Sequence, residues 1–309
     1  MTSVLESLLV DNNITVSAND PGGSNLLCSI IESIGGSYLF SLTKTSLPIF
    51  RRKFPDIKSK DIEECVPASN VLLCTTSWSS THELEAIKRF KNSGKKTIVV
   101  LDHWVNYVER LTFMGRVIIP SHIVVCDKYA FAIASEKFPR SDIILHPNPT
   151  FDYFSSLKLN SESFQNHLST TNRSQDYTNT LLFISQPIKS LSRKLEQATE
   201  HPSFDEVECL KYGLKKIKRI SDKVKHIIIR LHPLEDKNNY ENIFCQFPSY
   251  KFELSKGCTL EQDIRRSSLV LGIDSTALVL AALAGRPTFS SIPPGGRQCS
   301  LPQPFITRL

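Results

Sequence analysis

A chain of 309 residues with ordinary apolar content and a formal charge of +6 is too long for one small core and suits two domains. No apolar run approaches the roughly 20 residues needed to cross a bilayer, which excludes a spanning segment. The first residues carry Glu6 and no basic stretch, which argues against a secretory signal and makes a cytoplasmic protein the expectation.

The eight cysteines, Cys28, Cys65, Cys74, Cys126, Cys209, Cys245, Cys258 and Cys299, contain no C-x-x-C pair, and several sit in apolar runs. Buried free thiols are expected, and a structural zinc site has no support from ligand spacing. Basic residues gather at Arg51-Arg52-Lys53, between Lys88 and Lys96, and from Lys211 to Lys225, as solvated helix faces. Such a surface could also dock on anionic lipid or draw in a phosphorylated substrate. Nucleic acid is not an expected partner, because neither a recognised module nor interleaved aromatics accompany the charge.

In chain order, strand-like and helix-like stretches alternate, the pattern of parallel βαβ units. Ile14 to Ala18 reads as a strand, followed by a loop and a helix from Leu26 to Ile34. Val71 to Cys74 reads as a strand, and Ser80 to Asn92 as a helix with Leu84, Ile87 and Phe90 on one face. Thr97 to Leu101 and Ile123 to Cys126 continue the sheet, with a helix from Asp127 to about Phe138. Pro147-Asn148-Pro149 is expected to stop regular structure, and Ser, Thr and Asn then dominate to Thr178. Alternation resumes with a strand at Thr180 to Ile184, a helix from about Phe204 to Ile220, and an apolar run from Lys225 to Leu231. Further strands are expected at Tyr250 to Leu254, Leu269 to Gly272 and Pro287 to Ser290, with an apolar helix from Ser275 to Ala284 between the last two. The expected organisation is a Rossmann-like domain at 1–150, a linker at 151–179 and a second Rossmann-like domain at 180–309, with a cleft between the halves.

In open α/β sheets, ligands bind beyond the carboxyl ends of the strands, so the polar residues there are the candidates for chemistry. Asn19 to Asn25 follows the first strand. Gly22 and Gly23 allow a tight turn and close approach to a ligand, and Ser24 can cap the following helix. The pattern departs from G-x-G-x-x-G and is not a dinucleotide fingerprint. Asp20 could take a proton from an acceptor hydroxyl, or simply form an Asx turn. In Thr75 to Thr81, Ser77 and Trp78 could hold sugar hydroxyls with the indole as platform; a plain N-cap explains Ser79 or Ser80 equally well. His103 is a further candidate, whereas Asp102 and His103, being adjacent, are expected to point apart.

His232-Pro233 stands at the end of the Lys225 to Leu231 run, which distinguishes it from His146-Pro147 and His201-Pro202. An imidazole there could stabilise charge on a nucleotide phosphate, against a capping or core role. Arg230 points to the same side of its strand and could support that charge or form an ordinary ion pair. Ser275 and Thr276 open a helix whose first N–H groups suit phosphate oxygens, a role compatible with Ser275 as N-cap. Ser185-Gln186-Pro187 is a contact for donor base or phosphate, and Pro293 to Arg297 reads as a mobile loop.

Arg230-Leu231-His232-Pro233 followed by Gly272-Ile273-Asp274-Ser275-Thr276 resembles the HP and serine motifs of bacterial sialyltransferases, polysialyltransferases and Kdo transferases, which use CMP-sugars. It is also similar to enzymes that transfer polyol phosphate from CDP-glycerol. The alternation of the whole chain resembles their GT-B superfamily: an α/β protein of two Rossmann-like domains facing across a cleft, acceptor in the first and nucleotide-sugar donor in the second. The resemblance implies His232 and Pro233, Ser275 and Thr276 at the donor phosphate, Gln186 near the nucleotide, and Asp20 as the base. It implies no cofactor and no metal, and no Asp-x-Asp triplet occurs.

Two features depart from that pattern. Asp20-Pro21-Gly22 only approximates the acidic triplet that supplies the base in several sialyltransferases. The chain also reaches Leu309 soon after the last strand read, where such folds usually finish with a helix crossing back. The implied activity is sugar transfer to a glycan or glycolipid in bacterial surface-polysaccharide assembly, in the cytoplasm or peripherally at the inner membrane. The rivals are a nucleotide-sugar 2-epimerase of the same fold and a non-catalytic nucleotide-sugar-binding subunit.

Overall fold

A computed structural model describes residues 3–77, 80–159, 179–189, 204–233 and 235–309. The chain divides into two units, Met1–Asp152 and Tyr153–Leu309, and each carries its own six-stranded sheet.

The strands of the first unit are β1 (Ile14–Ala18), β2 (Tyr38–Leu42), β3 (Val71–Cys74), β4 (Lys96–Leu101), β5 (Thr112–Phe113), β6 (Arg116–Val117), β7 (His122–Val125) and β8 (Asp142–Leu145). The sheet runs β2-β1-β3-β4-β7-β8 with every pair parallel, and β5 with β6 forms a separate antiparallel ribbon. Helices α1 (Val4–Leu9), α2 (Pro21–Ile34), α3 (Leu47–Arg51), α4 (Ile62–Ala68), α5 (His82–Asn92), α6 (Tyr107–Arg110) and α7 (Lys128–Lys137) accompany it, and the chain passes from the first unit to the second within α8 (Pro149–Ser156). Parallel sheets are covered on both faces, which is why β1 and β3 are buried at every position instead of alternating with water. Leu73, Ile98 and Val100 pack with Leu27, Ile30 and Ile31 of α2, while the alternate residues Leu72 and Val99 are buried on the opposite face.

The second unit contains β9 (Thr180–Ile184), β10 (His226–Arg230), β11 (Lys251–Leu254), β12 (Leu269–Gly272), β13 (Thr288–Ser290) and β14 (Ile306–Arg308), in the order β11-β10-β9-β12-β13-β14, again all parallel. Among its described residues the helices are α9 (Glu206–Ile220), α10 (Glu241–Gln246), α11 (Leu260–Arg265) and α12 (Thr276–Leu283). Asp205 and Glu208 cap α9 reciprocally, and Cys209, Leu210, Leu214 and Ile217 supply its buried stripe against the sheet.

Read by position in the chain, the second sheet has the order 3-2-1-4-5-6, and the first opens 2-1-3-4. In each, neighbouring strands diverge in direction of progression on either side of the first strand, and the crevice beyond that point is where such sheets take ligands. The α/β, GT-B-like class is what these two sheets display.

The sequence pattern placed most strands to within a residue or two but overlooked β2, β8, β14 and the short β5 and β6. Two of these, β8 and β14, lack the fully apolar run: only Ile144 is buried in β8 and only Ile306 in β14. Pro147-Asn148-Pro149 does not end regular structure. Pro149 opens α8, and the Thr150 N–H donates to Asn148 Oδ1 at 2.9 Å. Most of the expected linker, 160–178, lies outside the described residues.

Candidate functional site

In the first unit the ends of β1, β3 and β4 bring together Asn19, Asp20, Ser77, Asp102 and His103. The turn after β1 is shorter than expected, because α2 already begins at Pro21. Asp20 is its N-cap residue, Ser24 lies inside the helix, and neither Gly22 nor Gly23 forms a turn. The two glycines instead let the helix start close onto the sheet. A Cβ at Gly23 would stand 2.9 Å from Thr75 Cβ, and one at Gly22 would stand 3.0 Å from Asp102 Oδ2. Asp20 does not cap α2 with its side chain. Its Oδ1 accepts the Ser77 hydroxyl at 2.9 Å, and Asn19 Nδ2 donates to Ser77 Oγ at 2.7 Å. Ser77 therefore stands beside Asp20, while Trp78 and Ser79 lie outside the described residues.

Asp102 and His103 do form a pair. His103 Nδ1 lies 2.7 Å from Asp102 Oδ1, with both side chains less than one-fifth exposed. The expectation that adjacent residues point apart holds within a strand, but β4 ends at Leu101 and the irregular backbone beyond it carries no alternation. The carboxylate faces Nδ1 of the imidazole, and Nε2 is a buried nitrogen with no hydrogen-bond partner among the described residues.

Glu83, in the first turn of α5, is a residue the sequence pattern did not single out. It is 1% exposed, and its Oε1 accepts the Asn19 N–H at 2.8 Å, so it holds the turn that carries Asp20. Burial pushes its pKa up to about 7; the charge of Asp20 adds to the rise, and hydrogen bonds from its own amide, Asn19 and Thr75 work against it. A signal was present: Glu83, Ile87 and Phe90 share one buried helical stripe, where a carboxylate is out of place. Beside Ser77 lies a cavity of about 620 Å³, lined by Ser80, Thr81, Leu84, Glu109, Arg110 and Thr112 as well. Burial lowers the Arg110 pKa, while Asp102, Asp20 and Glu83 act to hold the guanidinium charged.

In the second unit, Arg230, Ile184 and Gly272 lie level across β10, β9 and β12. His232, Ser185-Gln186 and Ser275-Thr276 therefore emerge on one edge of the sheet, at its point of reversal. Two strand spacings, roughly 10 Å, separate the outer strands. Gln186 Oε1 accepts the Asp274 N–H at 2.7 Å, tying the turn after β9 to the one after β12. Asp274 is fixed in turn by both terminal nitrogens of Arg297 and by the Ser300 hydroxyl at 2.8 Å. Burial opposes its ionisation, but the Arg297 bonds and charge outweigh that and hold its pKa below the ordinary value. Ser275 is the N-cap of α12 by backbone, yet its hydroxyl makes no cap bond and is a buried oxygen without a partner among the described residues.

His232 is half-buried, and burial lowers its pKa. Pro233, next to it, is exposed. Arg230 is occupied elsewhere: Nη1 donates to Asp263 Oδ2 at 2.7 Å and to the Cys258 carbonyl at 2.9 Å, and the Asp263 side chain is fully buried. This is the ion pair left open as its alternative role, and Ser255 and Arg266 bind the same carboxylate. The Pro293 to Arg297 loop is tied down through Asp274. All eight cysteines are free; Cys28, Cys65, Cys74, Cys209 and Cys299 are buried and Cys245 is exposed. Among the described residues, no helix is long and apolar enough to cross a membrane.

No family model and no curated protein matches the chain. Solved structures do. An S. aureus MnaA–UDP co-structure superposes with a TM-score of 0.59 at 10% identity, covering 90% of this chain and 79% of that one. A UDP-N-acetylglucosamine 2-epimerase gives a TM-score of 0.53 at 10% identity, covering 90% and 78%. At such identity the likeness is one of fold, and it agrees with the class that the two sheets define.

Proposed function

We propose that the chain is a GT-B-type glycosyltransferase, moving a sugar from a nucleotide-activated donor to a glycan or glycolipid acceptor in surface-polysaccharide assembly. The observation that carries this reading is that β10, β9 and β12 end level at the reversal point of the second sheet, with His232, Gln186, Ser275 and Thr276 in the segments that follow those ends. An anion there meets an imidazole, the open end of α12 and a buried hydroxyl that makes no cap bond. The likeness of the HP and serine motifs to CMP-sugar enzymes favours a CMP-sugar.

The reaction runs as a displacement. Asp20 takes the proton of the acceptor hydroxyl, and the acceptor oxygen bonds to the activated carbon while the bond from that carbon to the phosphate oxygen breaks. The departing nucleotide phosphate keeps the electron pair and is stabilised by His232 and the α12 N–H groups. Ser77 orients Asp20, and the hydroxyl-lined cavity beside it takes acceptor sugar. Gly22, Gly23 and His103 complete the acceptor side. Arg230 acts on this half only by supporting the strand end, through Asp263.

A calorimetric screen of the whole protein against CMP, CDP, UDP and GDP tests the reading, with His232→Ala and Ser275→Ala as controls. Binding that both variants weaken supports it, and binding of no nucleotide sinks it. One second reading has its own support: the two solved structures of similar fold are a UDP complex and a UDP-N-acetylglucosamine 2-epimerase. A UDP preference, with inversion at C2 of UDP-N-acetylglucosamine and no need for an acceptor, would replace transfer by epimerisation. Nucleotide binding without turnover of any donor would leave a binding subunit.

A further inference from the structure

We propose that Glu235 is the positioning residue of the donor half-site: it fixes the backbone of the His232-Pro233 turn, and through it the imidazole, without itself touching the nucleotide. The proposal rests on the donor reading given above.

The geometry of the turn carries it. The His232 N–H donates to Glu235 Oε2 at 2.7 Å, and the Glu235 N–H donates back to the His232 carbonyl at 2.9 Å. The two bonds close the segment reciprocally. Pro233 sits in the second position of that turn, where a ring-locked φ is favoured and no N–H is required. His232-Pro233 is thus one half of a device whose other half is Glu235.

The second oxygen anchors the device to the sheet. Glu235 Oε1 accepts the Ser185 hydroxyl at 2.7 Å and the Tyr240 hydroxyl at 2.9 Å, and those two hydroxyls lie 2.5 Å apart. Ser185 directly follows β9, and its own N–H donates to the Arg230 carbonyl at 3.0 Å. Tyr240 is fully buried and Ser185 nearly so. One carboxylate therefore ties the ends of β9 and β10 to a buried phenol, setting where the imidazole stands relative to Gln186 and the start of α12.

Glu235 accepts three hydrogen bonds through these atoms, which suits the ionised carboxylate, an acceptor only. Burial raises its pKa, whereas Ser185, the His232 amide and Tyr240 pull it back. Both oxygens are engaged with protein groups, so its effect on a bound nucleotide passes through His232.

The test uses the full chain. Hydrogen exchange at the His232 amide is measured without ligand, and calorimetry is run with whichever of CMP, CDP, UDP and GDP the wild type binds. Glu235→Ala is expected to speed His232 exchange and weaken nucleotide affinity, each by about tenfold, the scale of one lost charge-assisted bond. Glu235→Gln keeps a carbonyl acceptor for the His232 N–H and is expected to restore most of both. The double variant His232→Ala/Glu235→Ala is expected to bind no worse than His232→Ala alone. Unchanged exchange in Glu235→Ala, or a further tenfold loss in the double variant, would overturn the proposal. If His232→Ala binds nucleotide like the wild type, the donor reading fails instead, and the exchange result alone decides whether Glu235 holds the turn.

Discussion

Replacing Glu83 by Gln tests the acceptor half of the site without any knowledge of its substrate. The carboxyl is 1% exposed, and burial lifts its pKa from an ordinary 4.5 to about 7. The folded state therefore keeps a proton that the unfolded chain has already released. The stability this proton confers is fully present below pH 4.5, falls as the pH rises toward 7, and is absent above it. The rise from 4.5 to about 7 corresponds to about 3 kcal/mol. The Glu83→Gln variant has no such proton to lose, and it retains a carbonyl oxygen for the Asn19 N–H. Its amide group enters a place where Oε2 has no partner among the described residues, which costs about 1–3 kcal/mol at every pH.

The stability difference, variant minus wild type, is thus expected to move in favour of the variant by about 3 kcal/mol between pH 4.5 and 8. Urea denaturation followed by tryptophan fluorescence reads this directly, because both tryptophans, Trp78 and Trp104, lie in the first unit. Titrating groups that do not interact with Glu83 cancel in the difference. A difference that stays flat across this range would refute the reasoning. It would mean that Glu83 is charged throughout and that the Asn19-Asp20 turn is held by a buried anion.

Other perturbations probe separate parts of the structure. Gly23→Ala adds a favoured helix former but drives its Cβ to 2.9 Å from Thr75 Cβ; a net loss of about 1–3 kcal/mol in thermal or urea unfolding is expected. Arg230→Met removes one partner of the fully buried Asp263. Because Arg266 and Ser255 still hold the carboxylate, it is expected to cost about 1–3 kcal/mol in stability, while the nucleotide affinity of the folded fraction in calorimetry changes little. Asp102→Asn weakens the hold on His103 Nδ1. Once an acceptor assay exists, the variant is expected to lower kcat and leave donor KM unchanged, and an equal rise in donor KM would assign His103 to the donor instead.

Much of this molecule is written in local pattern. Buried parallel strands such as Ile14 to Ala18 and Leu269 to Gly272 are short apolar runs bounded by polar turns, and the helices carry their stripes and caps openly. The polar residues that follow each strand mark the site in outline. The partners of those residues are far less legible. Arg230 meets Asp263, 33 residues on, and Gln186 meets the Asp274 amide, 88 residues on. Nothing in the spacing of the chain announces either contact. Asp102 and His103 show the converse: neighbours whose pairing depends on where the strand stops.

The residues themselves determine that two successive βαβ series form, and that hydroxyls, amides, carboxylates and imidazoles stand at their carboxyl ends. Strand propensity and apolar patterning are local, so they can be read one segment at a time. Tertiary structure alone decides which strand ends become neighbours, because lateral hydrogen bonding joins segments distant in the chain. It also decides which charges are neutralised and which side chains are buried among partners, and so turns Glu83 and Glu235 from ordinary helix-start or loop acids into the groups that hold the two candidate half-sites in shape.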